Sequence, residues 1–452
     1  MIAGLSDDEA RELALPATIL RRLHAALDRE RVLEAIKRSR AHTLFEATAI
    51  DDCSVDRVHF GSRLGYVVDY TLQLRVGRVA SRVKAFGQVP FGDPYSECEA
   101  AKAKIAARLD AAHAQGRPQL QLLDSIGVIL RAAGTDERID WLTALTASTS
   151  RRPECRLLTS GELGRRWSDV HLLSHRLGKR AVLRLSGEGS DETEQASAIL
   201  KLYKRKSTAA AHCAAISASV ARQRGRAEAA VGIPRIFGLL DSAPGLLMEQ
   251  APGLPLHLIV GPARTAGHRS AGEALARFHA SRIPGLELYG VADEVRVLQR
   301  WLAFASNLRP ALVARLAPSV DRLTKDGPRC DTYTPVPIHR DFHDKQIIIA
   351  GDRSTLIDFD TVRLGDPAQD IGNFLAHIHL HAAHGLIKPA QTSEWIAFID
   401  GYQSMTCSPS MLNIDWHRRA SLLRLAMIRS FSDDSAHLAG VLARSADMAG
   451  DM

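Results

Sequence analysis

The stretch IHRDFHDKQIIIAGDRSTLIDFDTVRLGDPAQDIGNF, residues 338–374, decides how this chain is read. His339-Arg340-Asp341 is followed by the apolar run Ile347-Ile348-Ile349, a polar turn at Gly351-Asp352, and then Leu356-Ile357-Asp358. Short β-branched runs divided by Gly and Asp read as a strand, a tight turn and a second strand. Asp341 and Asp358 therefore flank one hairpin, and Asp360, Asp366 and Asp370 follow closely. Each aspartate alone would pass as a turn or capping residue, because Gly-Asp and Asp-Pro are ordinary loop punctuation. As an ordered set they have the spacing that metal-assisted phosphoryl transfer uses: one carboxylate accepts a hydroxyl proton, others hold Mg²⁺, and cations offset the phosphates.

The set H-x-D, a metal-ligand position five residues on, I-D-F-D and then G-D-P-x-x-D resembles the catalytic half of the aminoglycoside phosphotransferase family, relatives of the protein kinases. The resemblance implies an α+β class, protein-kinase-like bilobal fold with a β-rich N-lobe and a helical C-lobe. It also implies an ATP- and Mg²⁺-dependent phosphotransferase acting on a hydroxyl of a small metabolite. In that scheme Asp341 is the base, Asp358 the principal metal ligand, Gln346 a second ligand and Asp360 a secondary one, while Asp366 and Asp370 orient loops. The family usually has Asn where this chain has Gln346, whose amide oxygen suits a hard cation but sits one methylene further out.

Length and composition set bounds. A chain of 452 residues exceeds one small core and calls for two or three units. No apolar run approaches the roughly 18 residues a bilayer crossing needs, and the acidic start MIAGLSDDEARELAL has no signal-peptide pattern, so a cytoplasmic protein is expected. Six scattered cysteines, at 53, 98, 155, 213, 330 and 407, form no Cys-x-x-Cys pair and signal neither zinc nor a disulfide framework. The net charge of +7 permits anionic partners, but the basic clusters are short and lack interleaved aromatics, so a solvated arginine-rich surface is expected rather than a nucleic-acid platform.

Residues 7–43 carry a helical period interrupted by Pro16, which predicts two helices. From about 53 to 90 the pattern turns to strands, with a hairpin from Tyr66–Leu74 to Val79–Phe86 around Gly77, followed by an Ala-rich helix from Tyr95 and a buried strand at Ile126–Leu130. An internal echo runs through this region. Arg63-Leu64-Gly65, a hairpin and Lys84-Ala85-Phe86 return as Arg176-Leu177-Gly178, a hairpin from Ala181 to Leu202 and Lys201-Leu202-Tyr203. The expected organisation is residues 1–150 as an additional N-terminal α+β domain, a possible duplicated N-lobe, 151–258 as the N-lobe proper, and 259–452 as the helical catalytic C-lobe.

Between the second hairpin and the catalytic half, Leu246 to Gly253 resembles the hinge of such kinases, which assigns Met248, Glu249, Gln250 and Ala251 to adenine; an edge strand ending at a Pro-Gly turn fits the same local pattern. Lys201, at the end of an apolar strand, is the expected phosphate-binding lysine. Its usual glutamate partner is missing, since residues 202–227 contain no acid, which leaves Glu228, Gln223 or another arrangement. In the first copy Lys84 has Glu97 and Glu99 at more usual spacing. No G-x-G-x-x-G loop precedes the second hairpin, only Gly178, and Arg176, Lys179 or Arg180 could assist there. His377 and His381 lie i, i+4, with His384 close by, but lack the acidic partner of a metalloprotease pattern, so lining a substrate cleft is the better reading.

The acceptor is not legible. An aminoglycoside calls for an acidic pocket, whereas the last third shows only local acids such as Asp433-Asp434. A sugar, amino alcohol, antibiotic or natural-product intermediate fits. Two alternatives stay open: a non-catalytic nucleotide-binding scaffold, and a kinase acting on tRNA or a carrier protein. Oligomeric state is open too.

Overall fold

The computed structural model describes residues 15–61, 64–107, 120–146, 167–188, 195–223, 232–240, 243–330, 332–383, 393–432, 440–442 and 444–446. Among the described residues, two α-helices, Ala17–Ala26 and Arg29–Ser39, precede the first sheet. Pro16 is the N-cap of the first, so a helix boundary lies there, and the break between the two falls at Asp28. Asp28 accepts hydrogen bonds from the amides of Glu30 and Arg31, satisfying donors that a helix start leaves open. The helical pattern ahead of Leu15 lies outside the described residues.

The first sheet is antiparallel, with β1 (Ala49–Gly61), β2 (Gly65–Val76), β3 (Val79–Val89), β4 (Leu120–Leu123) and β5 (Val128–Ala132) in the order β1-β2-β3-β5-β4. Helix Pro94–Ala106 falls between β3 and β4. The second sheet, β6 (Trp167–Arg176), β7 (Arg180–Glu188), β8 (Gln195–Tyr203), β9 (Ile236–Leu239) and β10 (Gly245–Glu249), runs β6-β7-β8-β10-β9, with helix Ala209–Ala221 between β8 and β9. The two sheets thus share strand order and helix placement.

Their registers differ from the echo in the sequence. Lys201 pairs with Leu246, the second residue of β10, whereas Ile129, the second residue of β5, pairs with Gln88. Gln88 is buried and accepts from Arg131 Nε at 2.9 Å. Lys84 lies four residues back toward the hairpin tip, so it does not take the place that Lys201 has in its own sheet.

The helical part contains Pro262–His279, Val291–Leu308, Pro310–Asp326, Ala368–Ala383, Ser393–Gln403 and Met411–Arg429. Two small sheets, β11 (Leu254–Pro255) with β14 (Ile347–Ala350) and β15 (Arg353–Leu356), and β12 (Leu288–Tyr289) with β16 (Arg363–Gly365) and β13 (Val336–Ile338), carry the 338–374 stretch. Phe374 stacks on Phe398 at 4.1 Å and on Phe342 at 5.3 Å, so the stretch is bolted to the helices. Helices Pro262–His279 and Ser393–Gln403 approach closely because Gly272 and Gly401 face the other's backbone; a Cβ on either would meet a carbonyl oxygen at 2.1 Å. No described helix is long and apolar enough to cross a membrane.

Side chains alternate along β2, with Val68, Tyr70, Leu72 and Leu74 buried on one face. That face joins the N-terminal helices and, from the helical part, Phe304, Leu308 and Phe431 in one hydrophobic core. Tyr66 stacks on Phe304 at 5.3 Å and Phe304 packs on Phe431 at 5.4 Å. The first sheet is thereby fixed to the helices rather than tethered by chain connectivity alone. Phe304→Ala removes a fully buried ring at this junction and is expected to destabilise the protein by about 3–5 kcal/mol. Denaturant unfolding checks this; a loss under about 1 kcal/mol would show that the junction is not part of the cooperative core.

Candidate active site

The loop carrying Asp341 is held by buried polar groups. Asp370 accepts from the amides of His339 (2.6 Å) and Arg340 (2.7 Å) and from His279 Nε2 (3.1 Å). Burial alone would raise its carboxyl, but the bond and charge of His279 and the His339 amide outweigh it and hold Asp370 below the usual carboxylate value. His339 Nε2 donates to the carbonyl of Ile357 (2.9 Å), Thr361 Oγ1 to the carbonyl of His339 (2.8 Å), and Asn373 Nδ2 to the carbonyl of Phe342 (2.9 Å). Arg340 has φ 68° and lays its guanidinium over Tyr289 at 3.6 Å. Asp341 projects from this loop with half its side chain exposed, its Oδ1 3.9 Å from His343 Nε2.

Asp358, in the left-handed region at φ 68°, turns its carboxylate toward the second sheet. Arg180, the first residue of β7, grips it with both terminal nitrogens, each at 2.8 Å, and also donates to Asp360. Lys201 Nζ lies 2.8 Å from Asp358 Oδ1 and 3.1 Å from Asp360 Oδ1. The same Asp360 oxygen accepts from Tyr203 Oη (2.8 Å) and Cys213 Sγ (3.0 Å). Two carboxylates and two cations thus share one largely buried cluster. Burial would raise both aspartates, but Lys201 and Arg180 hold Asp358 well below its ordinary range and keep Asp360 lowered despite the neighbouring Asp358 charge. Burial would lower Lys201, but Asp358 and Asp360 keep its pKa above the usual lysine value. Burial and the Asp360 charge push the Cys213 thiol up to about 12, so it stays protonated and donates.

This arrangement answers the missing-glutamate question. Asp360 and Asp358 hold Lys201, and helix Ala209–Ala221 contributes Cys213 where an acid might have been expected. Gln223 instead bonds the backbone of Arg282, and Glu228 lies outside the described residues.

The turn between β6 and β7 is also anchored. Asp136, 1 % exposed, accepts from the Gly178 amide (2.6 Å), the Arg138 amide (2.8 Å) and His175 Nε2 (3.1 Å). His175 Nδ1 accepts from the Gly134 amide at 3.1 Å, which places the ring proton on Nε2, toward Asp136. Gly178 has φ 68°, and a Cβ there would sit 2.5 Å from the Leu64 side chain, so a larger residue would strain the turn and displace Leu64. Leu177 packs with Leu64, Val67 and Phe86. The segment after the first sheet therefore grips the hairpin that faces the site.

Met248 and Glu249 end β10, and Gln250 and Ala251 lead from the second sheet into β11 of the helical part. Gln346 lies beside Asp358 in the fold: its carbonyl accepts from the Ile357 amide (3.0 Å), and its Nε2 is 3.4 Å from His343 Nε2. His377 stacks on His343 at 4.3 Å while His381 faces Asp344 at 3.3 Å; among the described residues no group of three or more His, Cys, Asp and Glu could hold a metal by themselves. His384 lies outside the described residues. Lys84 bonds Asp56 (2.6 Å) and Thr71 (2.7 Å), and Glu99 bonds Lys102 instead.

Residues 173–418 match the family described as the phosphotransferase enzyme family. A search of the curated proteins gives no match. Among solved structures, the chain is similar to a thermostable mutant of an aminoglycoside phosphotransferase in ternary complex with ADP and hygromycin B, at 15 % identity, covering 66 % of this chain and 99 % of that one, with a TM-score of 0.46. A choline/ethanolamine kinase family protein from Mesorhizobium loti is similar at 14 % identity, 66 % and 94 % coverage and a TM-score of 0.44. An ethanolamine kinase from Plasmodium vivax is similar at 15 % identity, 62 % and 82 % coverage and a TM-score of 0.42.

The charge cluster has a pH signature. Asp358 and Asp360 titrate below the unfolded value of 3.8, so their contribution to stability is present above that value and is lost as pH falls through the folded one. Lys201 titrates above 10.5, so its contribution is complete below that pH and is lost as pH rises further. Thermal unfolding is expected to hold its midpoint near neutrality and drop below about pH 4. Asp360→Asn should lower the neutral-pH midpoint and shrink the acid-induced drop. An unchanged acid limb in that variant would remove Asp360 from the cluster.

Proposed function

This chain belongs to the phosphotransferase enzyme family, and from that premise we propose that it moves the γ-phosphoryl group of ATP, with Mg²⁺, to a hydroxyl of a small metabolite. It is a phosphotransferase with an alcohol acceptor, on a protein-kinase-like fold. The observation that carries the finer reading is the convergence of Lys201 from the second sheet, Arg180 from its hairpin and Asp358 from the 338–374 stretch.

In this reading residues 151–258 and 259–452 are the two lobes, and 1–150 is an added unit resembling a second N-lobe in strand order. Met248 to Ala251, at the crossing between lobes, take the adenine. Lys201 and Arg180 supply the cations for the phosphates. The donor set suits a hard divalent ion: Asp358 and Asp360 both reach Arg180 Nη1, so their oxygens converge on one cationic point. Asp358, with Gln346 and Asp360, would hold Mg²⁺ there. The ion would offset charge on the transferring phosphoryl group. Asp341 accepts the proton of the acceptor hydroxyl, on a loop kept rigid by Asp370, so the base is positioned before the substrate arrives.

One observation favours a second reading, a non-catalytic nucleotide-binding scaffold: Arg180 takes both oxygens of Asp358, the group needed for metal. Turnover separates the two. With Mg·ATP and a panel of hydroxylated acceptors, the wild type is expected to form ADP in an acceptor-dependent way. Asp341→Asn should cut that rate by about 10²–10⁴-fold while AMP-PNP binding stays intact. Equal rates in wild type and variant would contradict Asp341 as the base, and nucleotide binding without turnover on any acceptor would favour the scaffold.

A further inference from the structure

A cavity of about 1000 Å³ lies between the first sheet, β6 and the helical part, with Asp56, Arg57, Lys84, His171, Lys345 and Arg429 among its lining residues. Its floor is cationic for a structural reason. A β-bulge between Val55 and Arg57 sets Asp56 and Arg57 together on the face away from the core. Arg57 pairs in register with Asp69, which also lines the cavity. Lys345 sits one residue before Gln346 on the catalytic stretch, and Arg429 ends helix Met411–Arg429.

The nearby acids are already engaged. Asp56 pairs with Lys84 at 2.6 Å and Asp69 Oδ2 with His59 at 2.7 Å, while Asp69 Oδ1 is buried without a hydrogen-bond partner; Glu46 also lines the space and has a partner of its own. Arg57, Lys345 and Arg429, and Arg176 next to His175, form no ion pair among the described residues. Arg429 Nε is buried without a hydrogen-bond partner, a costly state for a guanidinium nitrogen. Desolvation lowers Arg176, and Arg180 and Arg57 lower it further, while Asp69 and Asp341 act in the other direction. Desolvation and then Arg57 lower Arg429, against the opposite pull of Asp56. Arg57, Arg82, Lys84, Lys345 and Arg429 therefore outnumber the carboxylates of Glu46, Asp56 and Asp69 around the cavity, and Lys345 on its wall belongs to the same stretch as the proposed base.

We infer that the acceptor is itself a phosphate monoester, a small hydroxylated molecule whose existing phosphate is held by Arg57 and Arg429 while its hydroxyl reaches Asp341. This rests on the reading of Asp341 as the base. Planar guanidinium forks match phosphate oxygens, and a dianion offsets more of this surplus than a carboxylate would. The same charge repels a polycationic aminoglycoside. The added N-terminal unit thereby acquires a role, since Arg57 comes from its first strand.

Inorganic phosphate and acetate serve as probes, titrated calorimetrically into the full chain with and without saturating Mg·AMP-PNP. Phosphate is expected to bind in both states, at least tenfold more tightly than acetate. Arg57→Gln and Arg429→Gln should each weaken it about tenfold or more, with AMP-PNP affinity within about twofold of wild type. Arg57 is exposed, so its variant keeps the test alive if Arg429→Gln misfolds. No phosphate binding, binding abolished by nucleotide, binding indifferent to both substitutions, or acetate binding as tightly would each overturn the inference, as would capture of a short RNA but not phosphate. Phosphate binding that persists in a protein unable to bind AMP-PNP would support the anion site and strike the nucleotide reading instead.

Discussion

Asp358 and Asp360 stand side by side in a largely buried site, and they can do so only because Lys201 and Arg180 lie against them. Two desolvated carboxylates without those cations would repel, and one would take up a proton. The cations come from β7 and β8, the acids from the turn after β15, so this electrostatic constraint also joins the second sheet to the helical part. Removing one partner of such a cluster costs more than the cluster contributes intact, since the others stay buried and uncompensated. Asp360 is the hub, with Lys201, Tyr203 and Cys213 on one oxygen and Arg180 on the other.

A second constraint acts on the hairpin that delivers Arg180. Kinase relatives commonly cover the phosphates with a mobile glycine-rich loop. Here the Gly178 amide is bonded to Asp136, and Leu64 fills the space above Gly178. Arg131 and Glu137 form a buried bidentate pair beside this clamp, at 2.6 and 3.2 Å. The added unit thus stiffens the turn between β6 and β7, and by its bulge presents Arg57 to the neighbouring cavity. Its packing on Phe304 and Phe431 makes both effects possible, because the unit must be fixed on the helices to hold anything else in place.

Much of this was legible in the sequence where the signal is local. The 338–374 stretch announces its hairpin and acids within a single window, and Lys201 ends a clear apolar strand. Partners that meet across the chain were not legible: Arg180 and Asp360 are 180 residues apart, Cys213 and Asp360 147. The resemblance of Lys84-Ala85-Phe86 to Lys201-Leu202-Tyr203 misled because similarity of short strings carries no register, and pairing puts Gln88 opposite the matched residue. Strand β6 did not register as a separate strand because its bulge between Leu172 and Ser174 breaks the two-residue period. Asp136 sits in no motif, and the bulge that aims Arg57 is a property of pairing rather than of residue type.

The most direct test of the central claim is calorimetric binding of Mg·ATP to the wild type and to Lys201→Ala, Asp358→Ala and Lys84→Ala. If the nucleotide lies in the second sheet's cluster, affinity collapses in the Lys201 and Asp358 variants and is kept in the Lys84 variant. Affinity that survives loss of Lys201 and Asp358 but falls with Lys84 would contradict the account and move the site to the first sheet.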